Sequence, residues 1–172
     1  MSHPIRPARP DDLNALAQMW SAFMREQAQI DARATPSKDA DERGRTTLRD
    51  AIGSRSAVVL VAEASGKPVG FVAGHTSAPS PVYEGSVEAQ LTELYVVPEH
   101  RRGGLAGRLM DAAVDWARER GLSRVRFDVL AANTPSRAVW DGRGIEPISV
   151  TYAVELEAPS DESNRVPMGF QV

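Results

Sequence analysis

The sequence predicts a mixed α/β domain, and three observations carry that prediction. Apolar runs with strand-like spacing interleave with segments of helical spacing in the order β-α-α-β-β-β-α-β-α-β. A basic, glycine-rich turn, Arg101-Arg102-Gly103-Gly104, joins one such strand to a strongly amphipathic helix. The 172 residues, 42% hydrophobic and 25% charged, suit one domain with a sizeable core.

His3 to Ala8 is a short strand, placed at a sheet edge because Pro4 and Pro7 interrupt its donors. Pro10-Asp11-Asp12 starts a helix with an aspartate as N-cap. Leu13, Leu16, Ala17, Trp20, Phe23 and Met24 then recur at helical spacing to about Ile30, a stripe that reads as core. Asp31 to Thr46 is polar and carries Pro36 and Gly44, which predicts a flexible connection, with a weaker helix over Arg45–Ile52. Ala57–Glu63, the turn Ala64-Ser-Gly-Lys67, and Pro68–His75 form a hairpin. Ser77 to Gly85, with three prolines, is a loop.

Leu91 to Val97 is an apolar, β-branched and aromatic strand that Pro98 stops. After the glycine turn, Leu105, Leu109, Ala112, Ala113 and Trp116 share one helical face, and Gly121 ends that helix. Arg124–Leu130 alternates like a strand, Asn133-Thr-Pro-Ser136 opens a short helix through Asp141, and Ile148–Leu156 is the last strand. From Glu157 the composition turns to Pro, Ser, Asp and Glu, so residues 1–157 are read as the domain and 158–172 as a tail. Its apolar end, Val166–Val172, is suited to docking on a second subunit.

Composition excludes several classes of function. The chain has no cysteine, which rules out disulfides, thiolate metal sites and a cysteine nucleophile. Three scattered histidines make no metal motif. A net charge of −3 gives no reason to expect nucleic acid as the main partner. No apolar run approaches a membrane span, and the N-terminus lacks a signal-peptide core, so the expected compartment is the cytoplasm.

The turn is an anion site in outline. The first N–H groups of a helix have no intrahelical partner and carry partial positive charge. Gly103 and Gly104 let a ligand approach the backbone, and the arginines can bond phosphate oxygens in pairs. A diphosphate fits this description. A Walker loop needs a lysine after the glycines, and a dinucleotide fingerprint needs Gly-x-Gly-x-x-Gly; neither is present at the turn.

Arg101, Gly104 and Ala106 instead resemble, in register, the acyl-CoA motif Gln/Arg-x-x-Gly-x-Gly/Ala of the GNAT-type N-acetyltransferase superfamily. Glu93-Leu-Tyr-Val-x-Pro-x-x-Arg101 is similar to the strand that precedes the motif there. Asn133-x-x-Ser-Arg-Ala-x-Trp140-Asp-x-x-Gly-Ile145 is similar to a second stretch of that family, Asn-x-x-Ala-x-x-x-Tyr-x-x-x-Gly-Phe. The resemblance covers roughly residues 4 to 156. It implies a GNAT-like fold, with a mixed central sheet splayed at the acyl-CoA site and flanked by helices.

It also implies function. Acetyl-CoA would be the co-substrate and a primary amine, on a small molecule or a peptide, the acceptor. The pantetheine amides would bond the strand at Leu94, Tyr95 and Val96, and the diphosphate would lie on Arg102, Gly103, Gly104, Leu105, Ala106 and Gly107, with Arg101 beside it. Glu93 is the candidate general base. Asn133 either bonds the pantetheine or caps the last helix, and Trp140 packs near cofactor or core. That tryptophan replaces the tyrosine by which the family often protonates the leaving thiolate, and an indole is no practical acid. Tyr83, Tyr95 and Tyr152 are alternative acids, and His75 ends a strand on the substrate side. The departure leaves a rival reading, a non-catalytic acyl-CoA-binding regulatory module. Homodimers are common among such proteins and are an expectation here.

Overall fold

Strands β2 (Ala57–Ala64) and β3 (Lys67–Ser77) are apolar on both faces because helices cover both. In the computed structural model, which describes residues 3–78 and 85–156, they lie inside a five-stranded sheet of order β1-β2-β3-β4-β5. β1 is Ile5–Pro7, β4 Glu88–Val96 and β5 Val125–Phe127. The pairings from β1 to β4 are antiparallel, and β4 pairs β5 in parallel, so the sheet is mixed.

Helices α1 (Leu13–Ile30) and α2 (Ala40–Ala51) cover one face. Leu16, Met19 and Leu48 pack there with Val59, Val61, Phe71, Ala73 and Tyr95. Helix α3 (Leu105–Glu119) contacts β2, β3 and β4 and buries Leu105, Leu109, Met110, Ala113, Trp116 and Ala117. Most of the α1 and α3 stripes are therefore core, as their periodicity requires. By internal contacts the chain divides into two units, Met1–Arg137 and Ala138–Val172. α4 (Thr134–Asp141) carries the chain from one into the other. Among the described residues no helix is long and apolar enough to cross a membrane.

Four expectations need correction. The connection after α1 is not flexible throughout: a 3-10 turn, Ala32–Ala34, leads into α2, which starts five residues before Arg45, at Ala40. Asp41 and Glu42 lie in its first turn, where the helix dipole favours acids, and Arg43 pairs with Asp39 at 2.6 Å. Gly44 is no breaker but a buried contact point inside the helix. β4 begins at Glu88 rather than Leu91, and β5 covers only Val125–Phe127 of the expected Arg124–Leu130. Ile148–Leu156 forms no strand. Its apolar residues alternate, yet Ile148, Val150, Tyr152, Val154 and Leu156 are all exposed, and alternation alone makes no strand without a ladder. Residues 79–84 of the Ser77–Gly85 loop, with Tyr83, and the tail 158–172 lie outside the described residues.

One irregularity places the site. Ala73 pairs with Glu93 but Gly74 with Leu91, so Thr92 is an extra residue, a β-bulge in β4. The parallel pairing with β5 covers Ala89, Gln90 and Leu91 and ends at that bulge. Among the described residues, β4 runs on beyond it to Val96 beside β3 alone, and the sheet is splayed.

Candidate active site

Strand alternation decides which groups face the splay. The Val97 N–H donates to Val69 O at 3.0 Å, toward β3, so the main-chain groups of Tyr95 and Glu93 point that way too. Those of Leu94 and Val96 then face the open edge. Of the three residues expected to bond the pantetheine, Leu94 and Val96 turn their backbone to that edge and Tyr95 does not. The Val96 carbonyl is taken by Nε of Arg101 at 2.7 Å.

The open edge runs into the glycine turn. Pro98–His100 is a 3-10 turn, Arg102 has φ 63°, and Gly104 has φ 75° as the residue before α3. A left-handed φ suits glycine at the N-cap, and a Cβ built on Gly104 meets nothing within 4 Å. Arg108 N–H, bonded to Gly104 O at 3.1 Å, makes the first bond of the α3 ladder. The N–H groups of Leu105, Ala106 and Gly107 precede that ladder and form the positive end of the dipole. The Leu105 side chain is core, so only its amide can serve a ligand. Gly103 and Gly104 are exposed at the mouth of this corner.

Arg101 is less free than its place in the motif suggests. Its Nη2 donates to both oxygens of Glu26 on α1, at 2.8 and 3.0 Å, and its guanidinium lies 5.2 Å from the Tyr95 ring centroid. Burial works against its charged form, but the Glu26 carboxylate more than compensates. The Tyr95 hydroxyl also donates to Glu26 Oε1, at 3.1 Å. Burial, reinforced by Glu26, pushes the Tyr95 phenol above its ordinary range, so it stays protonated with its hydroxyl engaged by Glu26.

Glu93 follows the bulge on the α1-facing side of the sheet. Trp20 Nε1 donates to its Oε1 at 3.2 Å, and the Thr92 hydroxyl donates to its Oε2. Burial pushes the carboxyl upward, while those two bonds and the charge on His75 pull it back. A carboxyl raised by burial yet kept ionisable is what a base working near neutrality requires. The sequence pointed to Glu93 but not to Trp20, Thr92 or Glu26. The signal for the two α1 residues was their place on the same helical stripe as the core residues, facing β4.

Asn133 is a helix cap: its Oδ1 accepts from Ser136 N–H at 3.1 Å and its carbonyl from Arg137 N–H at 3.0 Å. Trp140 is buried near the end of α4, where its carbonyl accepts from the N–H groups of Arg143 and Ile145. Tyr152 is 90% exposed. No group of three or more metal-ligating side chains is present among the described residues.

An open strand edge, a positive helix end and a half-buried carboxylate together can bind an extended amide chain with an anionic tail and take a proton beside it. Residues 16–145 match the model of the acetyltransferase (GNAT) family. The chain belongs to that family. It is 26% identical over 146 residues, 83% of its length and 89% of the relative's, to the uncharacterized N-acetyltransferase YhfO of Bacillus subtilis. It is 42% identical over 62 residues, 36% of its length and 42% of the relative's, to an uncharacterized N-acetyltransferase of Archaeoglobus fulgidus. In fold it is similar to the aminoglycoside acetyltransferase AAC(6')-Iy in complex with the bisubstrate analogue CoA-S-monomethyl-acetylneamine. That likeness has a TM-score of 0.69 at 18% identity and covers 92% of this chain and 100% of the other. The mixed, splayed GNAT sheet expected from the sequence is the fold observed.

Proposed function

We propose that this GNAT protein transfers the acetyl group of acetyl-CoA to a primary amine by direct attack within a ternary complex. The observation that carries the reading is the open edge of β4, which leads from the Glu93 carboxylate to the amides of the glycine turn. The residues fit the co-substrate. Leu94 offers edge N–H and C=O groups and Val96 its N–H to amides, and the turn from Arg102 to Gly107 offers exposed backbone and a helix end to a diphosphate. AAC(6')-Iy, alike in fold, is named with an analogue joining CoA to an amine-bearing acceptor.

Bound acetyl-CoA supplies an acyl carbon activated by its thioester. Glu93 accepts the proton of the incoming ammonium, directly or through one water, which frees the nitrogen lone pair. The nitrogen–carbon bond forms while a strand N–H at the open edge holds the charge on the oxygen, the nitrogen gives its second proton to water, and the carbon–sulfur bond breaks. The sulfur leaves as thiolate. With a thiol pKa of about 8.5, leaving unprotonated near neutrality forgoes only about 2 kcal/mol, so no acid is required at the position Trp140 occupies. The acceptor is a small-molecule or peptide amine, the compartment the cytoplasm, and the working form a homodimer.

The test is a thiol-release assay over a panel of amines with the full chain and Glu93→Gln. Removing a general base should lower kcat by about a hundredfold with acetyl-CoA affinity unchanged. Full turnover by the variant across the neutral range removes Glu93 from the chemistry. Tight acetyl-CoA binding with no turnover on any amine favours the non-catalytic module.

A further inference from the structure

Trp20 lies on α1 between two constraints. A Cβ built on Gly44 would come within 2.6 Å of Cδ2 and Cε3 of its ring and 2.7 Å of Cε2. The α2 backbone therefore rests directly on the indole, and no residue larger than glycine fits there without moving it. At its other end the indole N–H reaches Glu93 Oε1 at 3.2 Å. A ring pinned by a helix backbone has a fixed N–H direction, and so does the carboxylate that accepts from it.

We propose that Trp20, seated on Gly44 of α2, is a positioning residue that fixes the orientation of the Glu93 carboxylate and favours its ionised form. The proposal rests on the reading of Glu93 as proton acceptor. An indole N–H donates and never accepts, so it bonds a carboxylate better than a carboxylic acid. Around Glu93 the α1 partner is this indole, the β4 partner the Thr92 hydroxyl, and the ionisable neighbour from β3 is His75. α2 contributes through Gly44. Burial opposes the ionised form, and Trp20 is one of the groups that offsets it. The arrangement holds one carboxylate oxygen by Trp20 and the other by Thr92, and leaves their remaining lone pairs for the amine.

The indole N–H proton of Trp20 reports on this contact in the wild-type protein, because the indole does not titrate in the accessible range. The chain has three tryptophans, so Trp20→Phe assigns the resonance. Its chemical shift should move with pH as Glu93 ionises, and that movement should vanish in Glu93→Gln. In Trp20→Phe the Glu93 carboxyl, followed by carbon-13 NMR, should titrate at higher pH than in the wild type. The acid limb of kcat/KM should move the same way, with activity falling about tenfold near pH 6 and less than about threefold near pH 9. Gly44→Ala, which displaces the ring without altering the indole, should shift the limb in the same direction.

A Trp20 indole signal that stays flat through the Glu93 titration overturns the proposal. So does a Trp20→Phe loss that is uniform across pH, as a purely structural role would give. Failure of the underlying reading looks different: Glu93→Gln would keep full turnover while the indole signal still followed the carboxyl.

Discussion

Two arginines of this molecule do the same local chemistry at two strand edges that have no strand partner there among the described residues, with different consequences. Arg6, in the outer strand β1, donates to the Pro7 carbonyl at 3.0 Å and to two carboxylates. It reaches Asp12 at 2.7 and 3.0 Å and Glu63 at 2.9 and 3.1 Å. Arg101, beside β4, donates to the Val96 carbonyl and to one carboxylate, Glu26. The Arg6 side chain is 19% exposed with Asp12 at 8%, whereas Arg101 and Glu26 are 39% and 38% exposed. A guanidinium saturated by two acids and largely dry is a lock on an edge that must stay closed. One held by a single wet partner can exchange that partner for a phosphate, since exposed pairs contribute little stability. The fold closes the edge at β1 and leaves the edge at β4 available.

The largest expected effect comes from placing negative charge at the open edge. Gly104→Asp puts a carboxylate where the diphosphate is proposed to lie, and acetyl-CoA affinity in calorimetry should fall about a hundredfold. The site has room for the side chain, and aspartate tolerates the left-handed φ of 75° better than most residues. Thermal stability should change by about 1 kcal/mol or less. Unchanged affinity would mean that the turn is a corner and not a cradle.

Much of this contrast was legible in the sequence. The strand–glycine turn–helix at residues 91–116 reads out because its parts are local: an apolar run, Pro98, two glycines and an amphipathic stripe. Glu93 could be singled out for the same reason, once the turn had suggested where a co-substrate would enter. Its partners could not. Trp20 and Glu26 reach Glu93 and Arg101 across 73 and 75 residues of chain, and no spacing rule links them. The bulge at Thr92 that splays the sheet depends on register against β3, which only tertiary pairing sets. Gly44 misled for the opposite reason: locally a helix breaker, it is required by the ring above it, and packing overrode propensity.

The closed edge should respond in stability and not in binding. Asp12→Ala removes both guanidinium bonds and the acceptor for the Arg9 N–H, 2.7 Å away, and should cost about 2 kcal/mol by denaturant titration. Arg6 holds the Asp12 carboxyl below its ordinary range, so the sign follows. The contribution is fully present above the unfolded value and is lost as pH falls through the folded one. Wild type and variant should therefore converge in acid. A gap that stayed constant down to the acid transition would show that packing, and not the ion pair, holds this edge.

The smallest effect on stability should come from the matching change at the open edge. Glu26→Gln neutralises the partner of Arg101 but keeps a hydrogen-bond acceptor near Tyr95 and Arg101. An exposed pair contributes about 0.5 kcal/mol or less, so the denaturation midpoint should hardly move. Acetyl-CoA, however, would no longer compete with a carboxylate for Arg101, and its affinity should rise about threefold, with a steeper dependence on salt. Stability lost here on the scale of Asp12→Ala would make Arg101 a second lock, and the difference between the two edges would then lie in the strand backbone alone.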